Sequence, residues 1–284
     1  TFWPEDLSQT TPAYFFTRWI THFCAPVFIF LAGTSAFLYG SKPTINKNAL
    51  SRFLLTRGLW LVLIELTVVN FSWTFSFNIL ILGVIWAIGW SMLILSILIH
   101  LPLRWILGVA VLAIIGQHLL DGVQAANLGA WGPVWSWFHE QSFYRVELGP
   151  LMQVFVGYPI LPWFGVMALG YVCGGWFQLP AEQRDPLLIR VGIILLLAFV
   201  ILRGMNGYGN PQPWQIDERG VLWSFMGFLN TQKYPASLQY LLMTLGPSLI
   251  VIPFLESWQG HLSRVVEQFG KVPFFFYICL LYTS

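Results

Sequence analysis

Two histidines lie close in sequence to carboxylates and are therefore candidates for acid–base chemistry. His118 and Asp121 are three positions apart, and His139 is followed directly by Glu140. A carboxylate beside an imidazole can orient the ring so that its free nitrogen acts as a general base. Such pairs are also common by chance, so the sequence makes His118, Asp121 and His139 catalytic candidates and no more.

Glu65 is an acid inside an otherwise apolar segment. If that segment spans a membrane, its carboxylate costs several kcal/mol unless it is paired, protonated or hydrated. Arg57 cannot be the partner, because eight residues of helix place it about 12 Å away on another face. Glu65 is expected to face the protein interior, either as a structural hydrogen-bonding carboxyl or as a catalytic group in a polar cavity.

Arg18 and His22 are four positions apart and would share one face of a helix. Pro26 follows closely, and a proline at this point is expected to kink the helix and free backbone carbonyls. One interpretation is an interfacial arginine with a buried histidine that bonds a neighbour. The other is a polar pocket in which both residues bind substrate.

The stretch 203–214 combines glycines that permit tight turns with prolines that stiffen the chain. Its cationic, amide and aromatic side chains would suit a sugar: an aromatic ring to stack on and amides to bond hydroxyls. The alternative is a well-ordered turn. The candidate ligand-binding residues here are Arg203, Asn206, Tyr208, Asn210 and Trp214.

Composition indicates the elements that must position these residues. The chain is 57% hydrophobic and only 9% charged, against about 25% charged in soluble domains. A soluble protein could not cover so much apolar surface, so the sequence predicts an all-α, polytopic bundle of transmembrane helices. The formal net charge of +2 gives no reason to expect a nucleic-acid partner, whereas membrane lipids are expected partners.

Seven segments are long and apolar enough to span a membrane, and an eighth begins near Val272. The seven are 15–39, 53–69, 79–99, 103–120, 154–177, 187–202 and 238–255. No linker divides them, so residues 1–278 form one predicted domain. Gly165, Gly170 and Gly174 place small residues along the fifth span and predict close helix packing.

The distribution of Lys and Arg predicts the orientation, because basic residues concentrate in short cytoplasmic loops. The long aromatic connections 121–153 and 203–236 are then expected on the outer side, where 131–139 would form a short interfacial helix. The predicted cytoplasmic cations are Lys42, Lys47, Arg52, Arg57, Arg104, Arg184, Arg190, Arg264 and Lys271.

Both ends of the chain look incomplete, and at least one upstream helix is expected. There is no initiator Met, and the apolar run from Val272 is too short to span. Residues 279–284 resemble the translation of a transposase adapter used in DNA library preparation, which predicts a non-native tail. The cysteines Cys24, Cys173 and Cys279 have no metal-ligand spacing, so no metal site is predicted.

Two stretches resemble bacterial multi-pass proteins related to the heparan-α-glucosaminide N-acetyltransferase catalytic domain. They are FFTRWITHFCAPVFIFLAGTS at 15–35 and YPILPWFGVMALGY at 158–171, supported by FLNTQKYP at 228–235 and FGKVP at 269–273. The resemblance implies a multi-pass protein of the bacterial inner membrane. It also implies acetyl transfer from cytoplasmic acetyl-CoA to an amino sugar or envelope glycan outside, and a key histidine upstream of Thr1.

The resemblance gives the cytoplasmic cations a second interpretation. Lys42, Lys47, Arg52 and Arg57 are explained mostly by membrane orientation, but they would also attract the phosphates of acetyl-CoA. The function from a different class that the sequence leaves open is a permease or export channel for a sugar or lipid-linked substrate. Such a transporter is expected to show an inverted repeat, and no internal symmetry is visible.

Overall fold

The structure, a computed structural model, describes residues 5–76, 78–146 and 152–271. The predicted eighth span and the suspected tail lie outside the described residues. The helices are α1 (Pro12–Thr21), α2 (Cys24–Gly40), α3 (Lys47–Ile64), α4 (Asn70–Thr74), α5 (Val84–Leu98), α6 (Leu103–Ile115), α7 (Gly132–Phe138), α8 (Ile160–Cys173), α9 (Ala181–Gly204), α10 (Val221–Leu229), α11 (Leu238–Ser257) and α12 (His261–Lys271).

Six helical segments in the described chain are long and apolar enough to cross a membrane: Pro12–Gly40, Lys47–Thr74, Leu103–Leu120, Ile160–Gln178, Ala181–Gly204 and Leu238–Ser257. They confirm the predicted polytopic helical protein, and each overlaps a predicted span. Three segments are extended by short non-α turns: a π-helical turn at Glu65–Val69 and 3₁₀ turns at Gly116–Leu120 and Gly174–Gln178.

The third and fifth predicted spans begin too early. Residues Ile79–Leu82 form strand β1, so the helix of the third predicted span is α5, which has only 15 residues. The fifth prediction began in strand β3 (Met152–Val156), which pairs parallel with β1 and antiparallel with β2 (Ser142–Val146). A short apolar run is compatible with strand or helix, which is why hydropathy misplaced both boundaries.

Local sequence explains where several helices begin. Thr11 caps α1 with Pro12 in the first turn, Asn46 Oδ1 accepts the Ala49 N–H at 2.8 Å, and Ser237 Oγ accepts the Tyr240 N–H at 3.0 Å. These side chains satisfy backbone donors that the first turn of a helix leaves unpaired. The predicted short helix at 131–139 is confirmed as α7.

The close helix packing predicted from glycine spacing is confirmed between α2 and α8. A Cβ at Gly170 would overlap the Phe30 carbonyl, and one at Gly33 would overlap the Met167 carbonyl. Thr34 Oγ1 donates to the Gly170 carbonyl at 3.0 Å across this contact. The small residues therefore let the two backbones touch, as membrane helices do.

The connections gather at two opposite ends of the bundle. At one end, Lys47 Nζ lies 3.5 Å from the His100 carbonyl and Arg184 pairs with Glu256. We call this the basic end, and it contains loops 41–46, 99–102 and 179–180. The other end, called the aromatic end, contains the three-stranded sheet and the connections 116–146, 152–159 and 205–237.

Candidate functional site

A break in the first span places His22 at the aromatic end. Helix α1 ends at Thr21 and α2 begins at Cys24, as the position of Pro26 predicted. Because Pro26 has no N–H, the His22 carbonyl four residues earlier lacks its usual helical donor. The buried Tyr240 hydroxyl of α11 donates to that carbonyl at 2.7 Å, which fixes the break against the bundle.

Glu5 connects the Arg18 and His22 side chains. Its Oε1 lies 2.7 Å from Arg18 Nε and 3.4 Å from His22 Nε2. Burial raises the pKa of the Glu5 carboxyl, but the hydrogen bonds from His22 and Arg18 lower it overall, to about 2. Glu5 is therefore ionised at neutral pH, and a neutral His22 would carry its proton on Nε2 and leave Nδ1 as an acceptor.

Aromatic rings and a lysine surround this ion pair. The Tyr158 and Tyr234 hydroxyls are 3.3 Å apart, and the Trp163 ring lies 5.3 Å from Tyr158 and 6.4 Å from Tyr240. Lys233 is 9% exposed and acts electrostatically on His22. We call the whole group the Tyr240 cluster: Glu5, Arg18, His22, Tyr158, Trp163, Lys233, Tyr234 and Tyr240.

Arg203 is a predicted ligand-binding residue, but the residue is only 2% exposed and its guanidinium donates to backbone carbonyls. The four acceptors are Phe228 (3.0 Å), Gln212 (2.9 Å), Gly227 (2.9 Å) and Asn230 (2.9 Å). Three of these carbonyls belong to the end of α10, where a helix leaves carbonyls unpaired. The guanidinium thus holds the turn 205–214 against α10.

The polar side chains of stretch 203–214 are also used inside the protein. Asn206 pairs with both the N–H (2.8 Å) and the carbonyl (2.9 Å) of Trp214, and Asn210 accepts the Gln232 N–H at 2.9 Å. The Tyr208 hydroxyl donates to the Ile115 carbonyl at 2.5 Å. The alternative of a well-ordered turn accounts for these contacts, and Arg203 and Trp214 are the predicted residues that line the adjacent cavity.

A cavity of about 310 Å³ lies beside this turn. Trp214 and Trp223 line it together with the polar side chains of Gln212, Gln215, Asp217 and Asn230. The Arg219 guanidinium stacks on the Trp223 ring at 3.8 Å and pairs with Asp217 at 2.6 Å. Hydrogen bonds from the Arg219 side chain and backbone lower the pKa of Asp217 to about 2.

The cavity adjoins the Tyr240 cluster. Its wall includes Leu7 and Asn230, and the Asn230 side chain donates to the Glu5 carbonyl at 2.9 Å. The segment that carries the Glu5 carboxylate therefore also forms part of the cavity wall. The arrangement combines a concave aromatic surface with an ionised acid, a histidine and two cations.

The predicted histidine–carboxylate pairs form a second polar group at the aromatic end. Asp121 lies 2.9 Å from His118 Nδ1 and 3.4 Å from His139 Nε2. Burial lowers the pKa of His139, although Asp121 partly opposes this effect. His118 Nε2 accepts the Leu238 N–H at 3.0 Å and so holds the start of α11, while Nδ1 lies against Asp121.

Glu65 is 2% exposed and accepts the Gly83 N–H at 2.7 Å. Gly83 is the residue before α5 and supplies no side-chain cap, so the Glu65 carboxylate, from the π-helical turn that follows α3, takes that role. The second oxygen, Oε2, has no hydrogen-bond partner among the described residues. This contact favours the structural interpretation of Glu65.

The four cations predicted to bind acetyl-CoA have separate contacts and do not converge at the basic end. Lys42 stacks on Tyr39 at 5.4 Å, Arg57 stacks on Phe53 at 5.5 Å, and Lys47 contacts His100. Arg52 lines a cavity of about 490 Å³ with Asn48, Ala49, Phe53 and Thr56.

Several members of the Tyr240 cluster are not among the site residues predicted from the sequence. Tyr158, Trp163, Lys233 and Tyr234 stand in the stretches that carried the family resemblance, which was the available signal. Glu5 gave no signal, because its partners lie 13 and 17 positions away. No group of three or more His, Cys, Asp or Glu residues in the described part of the chain is placed to hold a metal ion.

Comparison with known proteins identifies the family. A family model described as heparan-alpha-glucosaminide N-acetyltransferase, catalytic, matches residues 5–204, which is well over half of the 284-residue chain. No curated protein and no solved structure matches the chain. The matched region contains α1 to α9 and five members of the Tyr240 cluster: Glu5, Arg18, His22, Tyr158 and Trp163. The chain therefore belongs to the family of the heparan-alpha-glucosaminide N-acetyltransferase catalytic domain.

Proposed function

We propose that this protein is a membrane acetyltransferase that moves an acetyl group from cytoplasmic acetyl-CoA to an amino sugar on the outer face of a bacterial inner membrane. Family membership is the observation that carries this proposal. The distribution of polar sites supports it, because a cation-lined cavity and a polar aromatic site lie at opposite ends of one bundle. The acceptor would be an amino sugar or an envelope glycan.

The cavity beside Trp214 is the proposed acceptor site. Two indole rings would supply the flat apolar faces on which a sugar ring packs, and Asp217 and Asn230 would supply hydrogen-bonding oxygens. Since Asp217 is held ionised by Arg219, it accepts hydrogen bonds from hydroxyl or ammonium groups. Asn206, Asn210, Tyr208 and Arg203 shape this site through the backbone contacts described above.

Trp214→Ala is expected to raise the apparent KM for an amino-sugar acceptor by roughly two- to tenfold, because the sugar loses one aromatic contact. Hydrolysis of acetyl-CoA should continue, because acetyl-CoA is not expected to bind at this ring. Kinetics with glucosamine as the varied substrate test the expectation. Trp131→Ala is the matched control, since Trp131 is also at the aromatic end but is 72% exposed and outside the cavity. Equal acceptor kinetics in both variants would place the sugar elsewhere.

The cavity beside Arg52 is the proposed entry for the acyl donor. The Arg52 guanidinium and the Asn48 amide fit a phosphate by their chemistry. When acetyl-CoA is bound, it supplies an activated thioester, and the chain would hold its charged end here. The positive-inside distribution of Lys and Arg supports a cytoplasmic position for this end.

Arg52→Gln is expected to raise the apparent KM for acetyl-CoA by roughly tenfold while kcat changes less, as the loss of uniform binding predicts. Arg57→Gln is the matched control, because Arg57 lies five residues further along α3, stacks on Phe53 and does not line the cavity. Steady-state kinetics with varied acetyl-CoA distinguish the two. An unchanged KM in Arg52→Gln would move the donor site away from this cavity.

A further inference from the structure

The guanidinium of Arg219 contacts three residues that line the cavity beside Trp214. Its Nε and Nη2 donate to the two carboxylate oxygens of Asp217 at 2.8 and 2.6 Å, and its Nη1 donates to the Leu7 carbonyl at 2.7 Å. Its central carbon lies 3.8 Å from the centre of the Trp223 ring. Leu7, Asp217 and Trp223 all line the cavity, and Arg219 does not. Each nitrogen of the guanidinium and one of its flat faces therefore join parts of the cavity wall.

One of these parts comes from a distant stretch of the chain. Leu7 is 212 positions from Arg219 and belongs to residues 5–10, which we call the strap. Inside the strap, Asp6 Oδ1 accepts the Ser8 N–H at 3.0 Å and the Ser8 hydroxyl at 2.6 Å. An aspartate that bonds the backbone two residues on forms a local turn. The strap is thus an ordered segment that Arg219 ties to the far side of the cavity.

A second tie and an apolar contact keep the strap against α10. The Asn230 side chain donates to the Glu5 carbonyl at 2.9 Å, two residues before the carbonyl that Arg219 binds. The Leu7 side chain is close to the α10 backbone, because a Cβ at Gly227 would lie 3.6 Å from Leu7 Cδ1. Both ties end on backbone carbonyls, so the donors on the 205–237 connection determine where the strap lies.

We propose that Arg219 is a positioning residue that clamps the strap against the acceptor cavity and thereby sets the affinity for the acceptor. This inference rests on the proposed function, which assigns the cavity to the acceptor. A single rigid guanidinium fixes an acid, an indole ring and the strap relative to one another, although Arg219 itself does not touch the acceptor. Without it, the acceptor must order these parts as it binds, and ordering them lowers affinity.

Thiol labelling tests the clamp without use of the enzymatic reaction. Leu7→Cys in a cysteine-free background puts a thiol at a half-buried position and keeps the backbone carbonyl that Arg219 binds. Addition of Arg219→Gln should raise the rate of maleimide labelling in detergent by roughly tenfold, the effect of one hydrogen bond from a charged donor on an opening equilibrium. An unchanged labelling rate overturns the proposal.

Arg145→Gln is the matched control. Arg145 is an exposed arginine of β2 at the same end of the bundle, and it does not line the cavity. Its substitution removes the same charge and should leave both the labelling rate and the acceptor kinetics at their wild-type values. If Arg145→Gln accelerates labelling as much as Arg219→Gln does, the effect belongs to the lost charge and the clamp is rejected.

Acceptor kinetics separate the clamp from a general loss of structure. Arg219→Gln is expected to raise the apparent KM for glucosamine by roughly tenfold with little change in kcat or in the KM for acetyl-CoA, since only acceptor binding uses the assembled wall. The melting temperature should change little, because exposed ion pairs add little to stability. A fall in kcat at unchanged acceptor KM contradicts the proposed role.

Arg219→Lys completes the test, because lysine keeps the charge but lacks the planar fork and the stacking face. Its labelling rate and acceptor KM should both lie closer to those of Arg219→Gln than to wild type. Wild-type values of both in Arg219→Lys overturn the clamp. Failure of the proposed function looks different: the wild-type protein would then acetylate no amine, while the labelling rates would still decide whether Arg219 holds the strap.

Discussion

Replacing Arg203 with Met is expected to lower the free energy of unfolding by at least about 3 kcal/mol, the largest stability effect among the substitutions considered. The guanidinium donates to four carbonyls, three of them at the end of α10. Methionine keeps much of the side-chain volume but donates no hydrogen bond, so the Phe228 and Asn230 carbonyls lose the Arg203 donor, whereas the Gly227 carbonyl keeps the Asn230 N–H. The expected result is a much lower melting temperature in detergent, with α10 and the turn 205–214 losing order first.

Arg203→Lys provides the control for charge. Lysine keeps the positive charge but lacks the planar fork that reaches several carbonyls at once, so an intermediate melting temperature is expected. The competing interpretation is the ligand role predicted from sequence. A folded Arg203→Met protein with wild-type melting and lost acceptor binding would establish that role and contradict the structural one.

Glu65→Leu is expected to lower the yield of folded protein strongly, and this is the second large stability effect after that of Arg203→Met. Glu65 Oε1 accepts the Gly83 N–H at 2.7 Å, and without it the buried start of α5 has an unpaired donor. Glu65→Gln keeps an oxygen at this position, so its melting temperature and acetyl transfer should stay close to wild type. Expression and thermal unfolding of the two variants measure the difference.

Loss of transfer in a stably folded Glu65→Gln protein would contradict this structural assignment. It would instead support the catalytic alternative, in which the carboxyl lines the path of the acetyl group. Gly83→Ala is an independent test of the contact, because a Cβ at Gly83 would lie 2.5 Å from Glu65 Oε1. It should destabilise α5 even with Glu65 present.

The membrane-spanning helices could largely be predicted from sequence, because length and hydropathy decide whether a segment can span. The predicted segment 103–120 coincides with the helical segment Leu103–Leu120. The strands at Ile79–Leu82 and Met152–Val156 could not be predicted, because they pair with each other across more than 70 positions. A short run of apolar residues does not indicate which distant strand it will pair with.

Some features of the candidate site could also be predicted, because they depend on local sequence alone. The shared helical face of Arg18 and His22 follows from their spacing, and the break beside them follows from Pro26. The role of Arg203 could not be predicted, since its partners are backbone carbonyls that every sequence contains. Glu5 was missed because only the folded chain brings it to His22.

The most direct test of the central claim is acetyl transfer across a membrane by the purified protein in proteoliposomes. Isotopically labelled acetyl-CoA is supplied on the side of the basic end and glucosamine on the side of the aromatic end, with the orientation determined by an impermeant thiol label at Lys42→Cys in a cysteine-free background. The account predicts labelled N-acetylglucosamine in the glucosamine compartment, and none when the two substrates exchange sides. Folded protein that forms no labelled amide in either arrangement, or that moves glucosamine across the membrane unmodified, would contradict it.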